Sequence, residues 1–449
     1  MTAPSLGTGE PRQVTTSFYD TVGRLTGQTF ADGTSVTNSY YATGLLKRTS
    51  GSRTYPVEYT YDPQGRMKTM KTWQAFNGGS GTPSVTTWNY DSNRGWLASK
   101  DYPNASTGAA GTAGPTYTYT DAGRLLTRTW DRGVVTTYEY KVASGSSHSA
   151  GDLRTITYSG GVSTPSTTYT YDRRGRRATA VRNGITTTYT YNEANQPLSE
   201  SHSGGSLSGL SVVRTYNTSL RLATLDARRS GTSVQLVGYT YDNAGRMDQV
   251  RHANATTFTA KYAYLPNSRL VGTVASTNNA TGKGMLLSRT WDRLNRLTDI
   301  QSQGFPTAAA GNPVGFTYQY NDANQRTRAD LADGTYWVYQ YDALGQVISG
   351  RRYWDDGTLV AGQDFDYAFD DIGNRDKTGG RASAVSDYSN NHLNQYTQRT
   401  VPTNLDILGL ANPTAGVQVW KDSDSPSTAS RRGEYFHHAL TVANGTYPL

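Results

Sequence analysis

The chain contains no cysteine. Disulfide staples, thiolate nucleophiles, iron–sulfur clusters and cysteine zinc sites are therefore excluded. Bulky apolar residues are scarce. Leu, Ile, Val and Phe number 30, 6, 26 and 9 among 449 residues, too few for the buried parallel strands of an ordinary α/β enzyme. No uninterrupted apolar run reaches the ~18 residues that a membrane-spanning helix needs. The start, Met1 to Gln13, lacks the basic stretch and apolar core of a signal peptide, so none is expected in this chain. Lysine is rare, and the net charge of +8 is spread along the chain. Dense basic spots are few and short, such as Arg173-Arg174 with Arg176-Arg177, and Arg228-Arg229. That distribution speaks against nucleic-acid readout.

What is abundant is glycine, with 47 residues, and tyrosine, with 33. They recur in a pattern. Four segments read Tyr-Asp-x-x-Gly-Arg: Tyr19, Asp20, Gly23 and Arg24; Tyr61, Asp62, Gly65 and Arg66; Tyr171, Asp172, Gly175 and Arg176; Tyr241, Asp242, Gly245 and Arg246. Degenerate copies begin at Tyr90-Asp91, Trp291-Asp292, Phe369-Asp370 and at Tyr341-Asp342, which runs to Gly345. Asn replaces Asp at Asn192 and Asn321, and Asp121-Ala122-Gly123-Arg124 reads as a copy one residue short. The short spacings are roughly 20 residues. A second turn signal falls midway, at Asp32-Gly33, Asn183-Gly184, Asp333-Gly334 and Asp356-Gly357. Each unit is thus predicted to be two strands of about seven residues and two tight turns.

The residue types suit that geometry. Asp can hold the turn through backbone N–H groups, Gly supplies positive φ, and Arg can pair with the Asp or stack on a Tyr. Tyr-x-Tyr puts both rings on one face, where rings on neighbouring strands are expected to form ladders. The stretches 77–83, 106–115, 143–151 and 308–312 read as loops.

About 30 such strands make a ribbon ~140 Å wide, or a ring ~45 Å across if rolled up. The expected fold class is all-β: a spirally wound antiparallel sheet forming a hollow shell or part of one. A β-propeller is the alternative, since two units match the size of a blade.

Tyr19-Asp20 through Gly23-Arg24-Leu25, followed by Asp32-Gly33-Thr34, resembles the YD repeat of bacterial Rhs proteins, toxin complex C subunits and teneurins. His392-Leu393-Asn394-Gln395-Tyr396 is similar to a stretch found late in many Rhs arrays. The resemblance implies a β-shell that encloses a C-terminal toxin or other cargo, secreted or at the cell envelope as part of a longer protein. The self-cleaving core of such shells, with paired Asp-Pro-x-Gly motifs, has no counterpart. The one Asp-Pro here is Asp62-Pro63, inside an early repeat.

Three regions are expected: an N-terminal extension over 1–14, the repeat array over 15–397, and a short β extension over 398–449. Part of the last, from Gly409 to Val419, resembles the opening strands of immunoglobulin-like modules. No catalytic constellation stands out. His437-His438 should point to opposite faces of a strand, and Gly145-Ser146-Ser147-His148 lacks the setting of a nucleophile elbow. Asp364, Asp366, Asp370 and Asp371 form the best carboxylate cluster, read as turn chemistry with weak calcium binding as the alternative. The chain is therefore expected to be a non-enzymatic shell segment without cofactor or metal. Its expected partners are the rest of the shell and a cargo domain, with no nucleic acid and no direct membrane span. Adhesion through cell-surface glycans is the alternative. Unpaired sheet edges are expected to make the isolated chain self-associate.

Overall fold

The computed structural model describes residues 2–3, 12–141, 151–252, 258–305, 314–379, 385–421 and 424–441. The Ser147-His148 segment and Asp422 lie outside these residues.

Thirty-two strands, from Thr16–Tyr19 to Tyr396–Arg399, form one sheet. Each strand pairs antiparallel with the next in sequence, so the chain is a single long meander. A propeller would break the ladder at every blade. The unbroken pairing excludes that alternative.

Two kinds of turn alternate, and each kind occupies its own rim of the sheet. The motif turns lie on one rim. There the Asp20 N–H donates to Arg24 O and the Gly23 N–H to Asp20 O, both at 3.0 Å. This is a three-residue loop with Gly in the left-handed region, φ +83°. A register shift falls just before the motif Tyr, as between Thr60 and Tyr61. The midway turns lie on the opposite rim. Most are not the two-residue Asp-Gly turns that the sequence suggests. Phe30, Leu331 and Trp354 open three-residue loops of the same kind, with only the Gly at positive φ. Asn183-Gly184 is a true two-residue turn with both φ positive, at +49° and +72°.

Some motif turns place Asn where Gly stands elsewhere, and one places a leucine there. Leu220 sits at φ +60° and is 55% exposed. A side chain with no local hydrogen bond to offer pays for that conformation, by about 1 kcal/mol. Leu220→Gly is therefore expected to stabilise its hairpin by about that amount, seen as slower hydrogen exchange at Asn217 and Arg221.

The sheet is one layer thick over most of its length. The chain exposes 26341 Å², against roughly 16,700 Å² for a compact monomer of its mass. Among the described residues the buried apolar side chains are few: Trp73, Val134, Ala329, Val360 and Ala429, with Pro56 and Pro115.

The sheet also coils past its own beginning. Gln74 Nε2 donates to Asn391 O at 2.8 Å, and the Asp371 N–H to Gln74 O at 2.9 Å. Gln13 meets Asn324 through both amide groups at 3.2 Å. One coil thus takes about 24 strands, or ~115 Å of circumference and ~37 Å of diameter before strand tilt. The ring is narrower than the rolled-up ribbon because the last strands overlap the first instead of closing on them.

After Arg399 the chain forms a three-stranded sheet from Asn404–Leu410, Ser430–Arg432 and Tyr435–Thr441, with a ribbon of Gln418–Val419 and Ser427–Thr428. It sits on the midway rim of the last coil. Arg432 reaches Asp356 at 2.8 Å, and Tyr435 Oη donates to Ala361 O.

Candidate functional site

The motif residues assemble into a belt along one rim. In each full copy the Asp accepts twice from the backbone. Asp20 Oδ1 takes the N–H groups of Val22 at 3.0 Å and Arg24 at 2.9 Å. Its other oxygen takes Arg24 Nε at 2.6 Å. Asp62–Arg66, Asp172–Arg176, Asp242–Arg246 and Asp292–Arg296 repeat this at 2.6–2.8 Å. The spacing of four follows from the turn, which brings residues i and i+4 side by side.

The Arg then links its repeat to the next one. Arg66 Nη1 donates to Gly95 O at 2.8 Å, and Arg176 Nη1 to Asn192 O at 3.0 Å. Its guanidinium lies over the next motif ring: Arg24 over Tyr40, Arg66 over Tyr90, Arg176 over Tyr191, Arg246 over Tyr264 and Arg296 over Tyr320, at 4.2–4.9 Å. That tyrosine in turn donates its hydroxyl to the preceding repeat. Tyr61 bonds Leu46 O, Tyr241 bonds Leu222 O and Tyr341 bonds Arg326 O, at 2.7–2.9 Å. Tyr19, on the first strand, is 62% exposed. The belt is a relay of Asp, Arg and Tyr in which one unit holds the next.

This corrects the expected ring ladders. Guanidiniums interleave with the motif rings. Ring-on-ring pairs are local, as in Tyr336–Tyr353 at 5.4 Å. Threonines between the tyrosines bond across the hairpins instead: Thr60 with Thr69 and Thr170 with Thr179, each at 2.6 Å. Among the described residues, the motif rings of Tyr40, Tyr90, Tyr191, Tyr264 and Tyr320 are each covered by a guanidinium, which takes the face a sugar would stack on.

The electrostatics follow from the geometry. The Arg24 backbone N–H, with its guanidinium, holds the Asp20 carboxyl below the usual range against some desolvation. At Asp62, Asp172 and Asp242 desolvation pushes the carboxyl up, but the Arg backbone N–H and guanidinium outweigh it and the net direction is down. Burial pushes the Tyr61, Tyr90 and Tyr140 hydroxyls up.

Three degenerate copies explain themselves in the structure. The copy ending in Arg124 is not short: Tyr119-Thr120 opens it, with Thr in the Asp place. Thr120 Oγ1 accepts the Arg124 N–H at 3.2 Å but offers nothing to Arg124 Nε, which has no partner. In the Asn copies an amide pair replaces the ion pair. Asn192 Nδ2 donates to Gln196 Oε1 at 2.9 Å, and Asn321 Nδ2 to Gln325 Oε1 at 2.7 Å. Asn with Gln in place of Asp with Arg, at 192 and 196, 321 and 325, and 391 and 395, was a readable signal within the chain, although Asp342 with Gln346 and Asn217 with Arg221 mix the two.

The Asp cluster does not converge. Asp366 pairs with Arg351, Asp370 caps its own turn, and Asp371 Oδ2 accepts the Phe76 N–H at 2.7 Å. Among the described residues no group of three His, Asp or Glu is placed to hold a metal ion. His437 Nε2 meets Asp406 at 2.7 Å. Asp371 and His392, which bonds Ser84 at 2.9 Å and Ala105 O at 3.0 Å, are seam residues that the sequence reading missed. Asp371 stands in the carboxylate cluster and His392 in the late stretch, but nothing local marks either as a seam contact.

No family model and no curated protein matches the chain. Among solved structures it is similar to the Photorhabdus luminescens Tc holotoxin pore, at 13% identity and a TM-score of 0.48 over 87% of this chain and 24% of that one. It is also similar to the TcdB2-TccC3-Cdc42 crystal structure, at 13% identity and a TM-score of 0.47 over 97% and 28%. The chain spans about a quarter of the length of these structures.

Proposed function

We propose that the chain is a wall segment of a β-shell that encloses a cargo, with a C-terminal toxin as the best candidate, and delivers it as part of a longer secreted or envelope-associated protein. The wall role is structural and non-enzymatic. One observation carries the reading: a single-layer sheet coils past its own start, and the rims of successive coils hydrogen-bond to each other. Such a wall is held by its belt and its seam, so it needs no packed interior. A ring ~37 Å across leaves an inside far too wide for its own side chains to fill. The repeat resemblance to Rhs proteins supports the same role. Electron micrographs of the native protein should show a wall one strand thick around a low-density lumen. A particle filled by packed β-layers of its own would overturn the shell reading. A lumen that stays empty in every preparation would overturn the cargo.

A further inference from the structure

We propose that the residue type at the fifth position of the motif turn decides whether that turn stacks on another coil: arginine keeps a rim free, and an amide admits a neighbouring rim. The proposal goes beyond the shell reading, since it concerns how coils recognise each other whatever they enclose.

The turns that meet the earlier coil are Asn321–Gln325, Asp342–Gln346, Asp370–Asn374 and Asn391–Gln395. Each ends in an amide where the full motif has Arg. Arg is the commonest residue at this position in the other turns: Arg24, Arg66, Arg124, Arg176, Arg221, Arg246 and Arg296. Outside the seam an amide occurs at Gln196, and there it reaches on to Leu220 O at 2.6 Å, doing what the Arg does.

The geometry shows why the two are not equivalent. At Arg turns the guanidinium packs on the backbone of the next motif Gly. Arg66 lies where a Cβ on Gly95 would be, Arg124 where one on Gly151 would be, and Arg221 where one on Gly245 would be. In the seam that place is shared. A Cβ on Gly373 would lie 3.0 Å from Gln346 Oε1 and 2.7 Å from the Tyr55 hydroxyl. Gln346 stops short because it is turned back to Asp342 Oδ2 at 2.7 Å, and Tyr55 of the earlier coil fills the remainder. A guanidinium at position 346 would occupy the ground on which Tyr55 stands.

Charge acts in the same sense. The rim that receives these turns offers backbone groups and neutral side chains: Gln13, Gln74, the Phe76 N–H, Ser84 and Ala105 O. Ions on that rim include Arg48, over the Phe76 ring at 5.6 Å, and Lys71, which share the Glu58 carboxylate, and Arg53, which pairs with Asp32 at 3.3 Å. Asp371 balances that excess of positive charge, and an added arginine would take up the Asp342 or Asp370 carboxylate that now holds the amide, bringing a further cation to a rim where Arg48, Lys71 and Arg53 already stand.

The test is hydrogen exchange at three seam amides, Phe76, Asp371 and His392, in the whole chain. Gln346→Arg with Asn374→Arg is expected to speed exchange at Phe76 and Asp371 at least about tenfold. The motif amides of Arg24 and Arg66, remote from the seam, should not change. Gln346→Arg alone, read at the same amides, serves if the double variant does not fold. Gln346→Met, uncharged and of similar length, should keep protection within about twofold. Seam amides as protected in the Arg variants as in the parent, or lost equally in the Met variant, would overturn the proposal.

Discussion

Asp292→Asn is expected to destabilise its part of the sheet by about 2–3 kcal/mol, the cost of breaking a charged hydrogen-bonded pair, and adding Arg296→Gln is expected to recover most of that loss. The pair is the least exposed of the Asp–Arg pairs in the motif turns, with side chains 14% and 13% accessible. Asp292 holds Leu294 N–H at 2.8 Å, Arg296 N–H at 2.9 Å and Arg296 Nε at 2.7 Å. An Asn can keep the two backbone bonds. It leaves the guanidinium without its carboxylate, still fixed over Tyr320 and the next turn. With Gln at 296 the turn becomes the amide version found at Asn321–Gln325, whose backbone bond is 3.0 Å. The native chain therefore contains the expected product. Local hydrogen exchange is the right measurement, because a meander whose units, seam contacts aside, touch mainly their neighbours opens piecewise. A double variant no more protected than the single one would show that the ion pair is not one exchangeable unit.

The second large effect is acid lability. Asp20, Asp62, Asp172 and Asp242 are held below the usual carboxylate range in the folded chain, and so are Asp32, Glu58, Asp226 and Asp333. For Asp226 the Ser233 hydroxyl and Arg228 are the lowering partners. For Asp32, Glu58 and Asp333 desolvation opposes and the hydrogen bonds win. A lowered folded pKa means that the unfolded chain binds protons first. The stabilisation is complete above the ordinary carboxyl values and is lost as pH falls through the folded ones. The sheet is thus expected to hold at pH 5 and above and to melt from about pH 4 downward, as one carboxylate after another protonates. Circular dichroism and residue-level exchange against pH would follow it. The amide turns at Asn192 and Asn391 should be the last to open. Equal loss of protection in amide and Asp–Arg turns, or none at pH 2.5, would contradict this origin. On the alkaline side the sign reverses. The raised tyrosines, Tyr61, Tyr90 and Tyr140, stabilise below the usual phenol value and cease to as pH climbs above their own.

The sequence by itself determined the local chemistry. Asp, Gly and Arg at fixed spacing can only serve one turn, because residues four apart are brought together by the loop that the Gly allows. The strand count, the alternation of two turn types and the all-β class follow from the same short-range rules. Where the residue types changed, the reading weakened. Thr120 in the Asp place made a full copy look short, and the Asn–Gln pairs passed as decay when they are a neutral equivalent.

Only the tertiary structure decided the rest. That guanidiniums lie between the motif rings depends on how far Arg66 reaches across to Tyr90, a distance set by sheet geometry and not by spacing along the chain. The seam is the clearest case. Gln74 meets Asn391, and Ser84 meets His392, across more than 300 residues. Neither contact is announced locally, although Asn391 stands at the Asp place of a motif turn, because where the two rims meet is the sum of small twists and bends at every strand pair. A local motif can specify each of those increments without revealing where they add up to a full turn.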